Sequence, residues 1–343
     1  MNMNNHMQIN RVRNISTDDF NELVQLYQPF ILENAIEDWG ALTKWTPAYL
    51  RHALGGLQVK CKHSDTHIHP NIGSYYETQK PISRWRYFLK RIRPKSSKEA
   101  MSLKSMSFGE YLDLISDPVE GARYYLTGDE LLIFNGKWSP ELEVLRDDFI
   151  LPKYFDEQSM NSAGLWFSAK GVRSHLHFDG GGSHNLNAQI TGRKYVQMYS
   201  PYQMSSLYPY YFTHFSNIGR YNFSKIDVEN FSKKKFPLFD GVECHEGEIK
   251  KGDLLFVPAY WYHSFKHLDE FNSNINFWWV PESIQLSPVS ARDALMRASQ
   301  KILSKNKVAP FGLLKLINRL EENIIKETFE ENGGKLSRSG VQI

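Results

Sequence analysis

The sequence predicts an all-β sandwich or barrel flanked by helices at both ends, and three observations carry that expectation. From about residue 163 the chain breaks into short β-rich runs: "AGLWFSA", "SHLHFD", "LNAQI", "KYVQMYS", "DLLFVPA" and "NSNINFWWV". Gly, Asn, Ser and Pro separate these runs, which is the turn chemistry of a sandwich or barrel rather than of a parallel α/β sheet. After Pro288 the apolar residues take helical spacing, as they also do near the N-terminus.

Taken in order, "STDDFNELVQLY" opens on a Ser/Thr/Asp N-cap signal and sets Phe20, Leu23 and Leu26 at helical spacing. "PFILENA" reads as a short buried strand, and "WTPAYLRHALG" as a helix that starts at Thr-Pro and stops at Gly55. "CKHSDTHIHP" gathers Cys61, His63, His67 and His69 but lacks the spacing of a structural zinc site, so it reads as a polar loop. The basic stretch 84–98, "RWRYFLKRIRPKSSK", reads as a solvated helix and loop, with an acidic-partner or RNA patch as the alternative. "SFGEYLDLIS" is an amphipathic helix and "ARYYL" a strand. Residues 203–246 form a long Tyr- and Phe-rich insertion of the kind that covers a site. The helical runs "SARDALMRASQKILSK" and "FGLLKLINRLEENIIKETFEE" follow, the second serving either as an oligomer surface or for packing within the chain. The tail "NGGKLSRSGVQI" is expected to be loose.

Composition narrows the class. The 343 residues can bury a sizeable core, and aromatic content of 14% suggests an aromatic-lined interior or cleft. A net charge of +3 is too small to argue for nucleic acid by itself. Two cysteines, Cys61 and Cys244, exclude a disulfide scaffold and suit a reducing compartment. The opening "MNMNNHMQINRVRN" has no apolar signal region, and no run approaches the ~18 apolar residues of a membrane span. A cytoplasmic protein with no membrane partner is therefore expected.

The chemistry concentrates in "HLHFD". On a strand, His175, His177 and Asp179 share one face, while Leu176 and Phe178 share the other. One metal can take His177 and Asp179, and His175 can equally take part. The local pattern leaves that choice open. "KGDLLFVPAYWYHSF" adds a Gly252-Asp253 turn, a buried strand and His263, five positions after Pro258. Two His and one carboxylate on one face of a metal, with the other face open, make the facial triad of non-haem Fe(II) oxygenases. His267, four residues on, reads as an exposed polar residue, and Tyr262 and Trp278 read as wall aromatics. No H-E-x-x-H favours a zinc hydrolase.

With these elements in place, residues 8 to 282 resemble the JmjC/cupin family of Fe(II)- and 2-oxoglutarate-dependent oxygenases. They are most similar to its hydroxylase branch, which includes the hypoxia-inducible-factor asparaginyl hydroxylase. The H-x-D pair, the G-D-x4-P-x4-H element, their separation and the lead-in "PFILENAIEDWGALTKWTPAYL" carry the likeness. It implies a double-stranded β-helix, the jelly-roll cupin barrel, over 121–285, making the protein α+β overall. A helix/strand lead-in over 1–120 and a helical segment over 286–343, a possible dimerisation element, flank the barrel.

The resemblance implies His177, Asp179 and His263 as iron ligands. It gives the distal carboxylate of 2-oxoglutarate to Lys194 of "QITGRK", assisted by the hydroxyls of Tyr125 and Ser174; the family more often has Thr at that last position. Asn185 and Asn276 match amide positions near metal and co-substrate. "DGGGSHNLNAQI" departs from the pattern by about two extra residues after Asp179, which makes His184 an alternative near the entrance. The implied activity is hydroxylation of an unactivated C–H using Fe(II), 2-oxoglutarate and O2, with a protein or peptide side chain as substrate. A small metabolite, a tRNA base and a non-catalytic scaffold are the alternatives. The H-x-D motif favours hydroxylation over demethylation.

Overall fold

The structure, a computed structural model, describes residues 5–69, 102–154, 157–210, 221–281, 287–305, 316–317 and 319–324. The basic stretch 84–98 and the tail beyond 332 lie outside the described residues. Helices start where capping chemistry dictates. α1 (Thr17–Gln25) opens on a reciprocal box in which Ser16 Oγ accepts from Asp19 N at 3.1 Å and the Asp19 carboxylate accepts from Ser16 N at 3.0 Å. α2 (Ala41–Lys44) is a single turn, and α3 (Pro47–Leu54) starts at Thr46-Pro47. α4 (Phe108–Ile115) repeats the box with Ser107 and Glu110, and α5 is Pro288–Lys305.

The strands of the first half are β1 (His6–Gln8), β2 (Asn10–Val12), β3 (Phe30–Leu32), β4 (Gln58–His63), β5 (Ile68–His69), β6 (Ser102–Ser107), β7 (Tyr124–Leu126) and β8 (Leu132–Phe134). The second half supplies β9 (Met160–Ala169), β10 (Arg173–Ser174), β11 (His184–Thr191), β12 (Lys194–Tyr199), β13 (Cys244–Ile249), β14 (Leu254–Val257), β15 (Tyr262–His267) and β16 (Phe271–Trp279). They form two sheets. One runs β1-β13-β12-β15-β10-β5; the other runs β2-β3-β14-β11-β16-β9-β7-β4-β6, with β8 added beside β9. This is a cupin fold, a jelly-roll of two sheets carrying helices.

The larger sheet is polar toward its partner and apolar away from it. On β11, Asn185, Asn187 and Gln189 share one face, and Leu186, Ala188 and Ile190 share the other. β16 matches it, with Asn274, Asn276 and Trp278 opposed to Ile275, Phe277 and Trp279. The apolar face is covered by the N-terminal elements through Trp39, Trp45, Leu50, Phe108 and Tyr111. Each such side chain stabilises by roughly 1.5–3 kcal/mol when fully buried. The polar face is thereby left to line the space between the sheets.

Two local expectations change. Of "SHLHFD" only Ser174 is in a strand, as the end of β10, and "CKHSDTHIHP" contains the end of β4 and all of β5 rather than a polar loop. Pairing explains the second: β4 lies between β6 and β7, and β5 runs parallel to β10. At the C-terminus, α5 buries Val289, Arg292, Asp293 and Met296 against its own chain. Arg292 bonds Glu321 through Nε at 2.8 Å and donates to the carbonyls of Tyr210 and Tyr221.

Candidate active site

Asp179 and two histidines converge at one end of the space between the sheets. His177 and His263 form an antiparallel bridge that puts their rings 4.5 Å apart. Asp179 Oδ1 lies 3.9 Å from His177 Nε2 and 3.8 Å from His263 Nε2. Both Nδ1 atoms are occupied by carbonyls, His177 by His175 O at 2.7 Å and His263 by Trp261 O at 3.0 Å. These contacts fix the tautomer and leave each Nε2 as a lone-pair donor. Burial, then the neighbouring His263, pushes the His177 imidazole down to about 3, so it is neutral and ready to ligate. Burial tends to raise the Asp179 carboxyl. The adjacent His263 and His177 and the hydrogen bonds from Trp278 and Asn185 outweigh it, so the group is held below its usual range.

The carboxylate is aimed by two donors. Trp278 Nε1 donates to Asp179 Oδ2 at 2.9 Å and Asn185 Nδ2 donates to the same oxygen at 3.0 Å, which leaves Oδ1 facing the two Nε2 lone pairs. His175 does not join them: its Nε2 meets Ser224 O at 2.7 Å on the other side of the chain. His175 therefore lies outside the donor cluster of His177, Asp179 and His263. The chain leaves the ladder after Ser174, so strict strand alternation no longer groups residues 175 to 179.

These groups open on a cavity of about 570 Å3, well within the range of small-molecule sites. Lys194, on β12, lines it and is almost fully buried. Its ammonium donates to Asn274 Oδ1 and lies 5.3 Å over the Phe265 ring. Among the described residues it makes no ion pair, and burial pushes it well below the ordinary lysine range. A buried ammonium with no counter-charge calls for an anion. Tyr125, Ser174 and Asn276 line the same cavity, and Ser174 Oγ accepts from Phe265 N at 2.7 Å.

Several participants were not foreseen. His69 lines the cavity, is held neutral by burial at about 3, and has a buried Nδ1 with no hydrogen-bond partner among the described residues. Asn187 and Asn274 also line it, and Asn187 Oδ1 has no hydrogen-bond partner among the described residues. Period-two alternation from Asn185 and Asn276 marks both. His267 is buried rather than exposed, with Nδ1 at 2.5 Å from Ser168 Oγ and its ring edge-on to Tyr125. As the last residue of β15 it points inward with His263 and Phe265. His184 sits inside, not at an entrance: its Nδ1 accepts from Ala259 N at 2.9 Å. From the long insertion, Phe223 stacks on His177 at 5.2 Å, and Asn222 lines the cavity.

A family model described as a cupin-like domain matches residues 16–285, which hold both sheets' central strands and all of these groups. The chain belongs to the cupin-like domain family. Lysine-specific demethylase 8 of Xenopus tropicalis is 27% identical over 74% of this cupin-like chain and 48% of its own length. Lysine-specific demethylase JMJ31 of Arabidopsis thaliana is 25% identical over 91% of this chain and 57% of its own. The tRNA wybutosine-synthesizing protein 5 of Gallus gallus is 25% identical over 74% of this chain and 70% of its own. The chain thus spans about half the length of the two demethylases. Cupin-like proteins of the JmjC type use Fe(II) and 2-oxoglutarate with O2, and the His177–Asp179–His263 donor set suits that iron.

Proposed function

We propose that this chain is an Fe(II)- and 2-oxoglutarate-dependent oxygenase that hydroxylates a C–H bond on an amino-acid side chain of a protein or peptide. One observation carries it: the three-donor face and the unpaired Lys194 ammonium open into a single cavity. His177, Asp179 and His263 are the iron ligands in this proposal. Lys194 seats the distal carboxylate of the keto acid, and Tyr125 and Ser174 bring hydroxyls to it. Asn185 orients Asp179, while Asn276 lines the space beside it. Phe223 and Phe265 shield the ligand rings from water. When bound, iron, keto acid and O2 supply the oxidation: the keto acid loses carbon dioxide to become succinate, and one oxygen atom enters the substrate C–H.

Placement in the hydroxylase branch, beside the hypoxia-inducible-factor asparaginyl hydroxylase, rests on the H-x-D motif. Several relatives are named demethylases, and the chemistry connects the outcomes. Hydroxylation of an N-methyl group gives a carbinolamine that expels formaldehyde, whereas hydroxylation at carbon leaves a stable alcohol. A second reading, a tRNA base as substrate, is favoured by the chicken relative and by the Trp166–Trp278 pair, 5.2 Å apart in the cavity wall.

A cytoplasmic location belongs to the same proposal, since Cys61 and Cys244 are both free and buried. Among the described residues no helix is long and apolar enough to cross a membrane. Dimerisation through the C-terminal helices is a separate proposal, supported by the exposure of Leu316 and Leu320. Light scattering of a Leu316→Lys/Leu320→Lys variant tests it, and an unchanged oligomer would sink it. The enzymatic proposal is tested by succinate release from 2-oxoglutarate in air with Fe(II). Release by the wild type and none by His177→Ala supports it; equal release by both contradicts it. Formaldehyde, or an added oxygen on candidate peptides and RNA, then identifies the product class.

A further inference from the structure

A second donor cluster lies on the opposite face of the smaller sheet. β1 pairs in parallel with β13, which sets His6 opposite Cys244 and returns Glu246, two residues on, to the same face. His6 Nδ1 is 2.8 Å from Glu246 Oε2, and Cys244 Sγ is 4.0 Å from that oxygen. All three donor atoms fall within 4.8 Å of one another. On the adjoining β12, Lys194, Val196 and Met198 point into the barrel, so Tyr195, Gln197 and Tyr199 point outward beside the cluster. The sheet itself separates this group from the Lys194 cavity.

We propose that His6, Cys244 and Glu246 form a second metal site that takes a zinc-class divalent cation and clips the edge strand β1 to β13. Thiolate, imidazole and carboxylate together are the donors of zinc; magnesium and calcium take oxygen. A separate cavity of about 320 Å3, lined by His6, Cys244, Tyr199 and Phe239, adjoins the donors and gives a fourth ligand, such as water, room to bind. His6 is half exposed, which gives a cation a way in, while Glu246 and Cys244 are largely buried. Tyr195 and Tyr199 feel the charge of Glu246 and Cys244 from the neighbouring strand, so their hydroxyls stand where outer contacts can orient ligands. A cation bound there would displace the Cys244 thiol proton to solvent. The competing view is a simple His6–Glu246 ion pair beside a cysteine that fills space.

Cobalt(II) distinguishes the two, because thiolate bound to cobalt gives a charge-transfer absorption that the sulfur-free His177–Asp179–His263 site cannot produce. Titrating the full chain with cobalt chloride is expected to give that band, which saturates and is displaced by zinc. It should persist in Asp179→Ala and vanish in Cys244→Ser. His6→Ala changes a half-exposed residue and keeps the sulfur; it should weaken cobalt binding by at least about tenfold. Zinc should also raise the melting temperature of the wild type and not that of His6→Ala. No band in the wild type, a band surviving Cys244→Ser, or unchanged affinity in His6→Ala overturns the proposal. These readouts need no turnover, so they stand or fall apart from the oxygenase function.

Discussion

His177 and His263 exchange a pair of backbone hydrogen bonds, His177 N donating to His263 O at 3.1 Å and His263 N donating to His177 O at 2.6 Å. Ligand spacing is therefore set by main chain, with the side chains added to a frame that already exists. His177→Ala should fold with a melting temperature close to that of the wild type. Its Fe(II) affinity should drop by more than about 100-fold, since even outer contacts are worth 10–100-fold. Calorimetric titration with Fe(II) under nitrogen measures it.

Trp278 would act on a metal held by the proposed triad through its bond to Asp179. Trp278→Phe keeps the ring and removes the Nε1–H bond to Oδ2. Fe(II) affinity should fall about 10–100-fold while stability changes little. Equal affinities in the two proteins would show that Asn185 suffices to aim the carboxylate.

Lys194 should have opposite effects on stability and binding. Lys194→Met removes a buried ammonium that lacks a counter-charge, so the ligand-free protein should gain about 1–3 kcal/mol in denaturant unfolding. Binding of 2-oxoglutarate should weaken by more than about tenfold, the loss of one charge-assisted contact. A variant that loses both stability and affinity would show that the lysine is structural.

Asp148 anchors the lead-in. It accepts from Lys44 Nζ at 2.6 Å, Trp45 Nε1 at 2.9 Å and Tyr49 Oη at 2.6 Å. Burial raises the carboxyl, but these bonds outweigh it and hold it below its ordinary value. Its contribution is full above an unfolded-state value of about 3.9 and is lost as pH falls through the lower folded value. Asp148→Asn should cost about 1–3 kcal/mol at neutral pH, and the gap should narrow below about pH 4. A gap that is flat across that range would remove the ionised carboxylate from the explanation.

Arg292 and Glu321 are a fully buried pair joining the C-terminal helices to the carbonyls of Tyr210 and Tyr221. Arg292→Met alone should cost about 3–5 kcal/mol by removing one partner of a fully buried pair, and adding Glu321→Leu should recover part of it. Unfolding curves of the two variants decide this. Because Tyr221 leads directly to Phe223 over His177, the single variant should also weaken Fe(II) binding.

Much of this was legible in the sequence because strong local signals agree with the fold. Ser16-x-x-Asp19, Thr46-Pro47 and Gly252-Asp253 mark element ends without tertiary help, and the alternation in "HNLNAQI" and "NSNINFWW" marks two central strands. The grouping of His177, Asp179 and His263 was legible only through the family resemblance that the H-x-D and G-D-x4-P-x4-H elements carry. His69 and His267 were not. Each looks polar in its own stretch, and only the pairing of β5 with β10 and of β15 with β12 turns them inward. His175 was undecidable for a related reason: whether 175–179 stays in register depends on His263, far along the chain. The second donor cluster, His6 with Cys244 and Glu246, depends on a parallel pairing that no local pattern announces.

The most direct test is anaerobic addition of 2-oxoglutarate to the Fe(II)-loaded full chain, followed by visible absorption. A keto acid chelated to Fe(II) gives a charge-transfer band that neither component shows alone. The band should form in the wild type at one equivalent, need more than about tenfold higher 2-oxoglutarate in Lys194→Met, and be absent in Asp179→Ala. A wild type that binds Fe(II) tightly yet gives no band at any 2-oxoglutarate concentration would contradict a cavity built to hold metal and keto acid together.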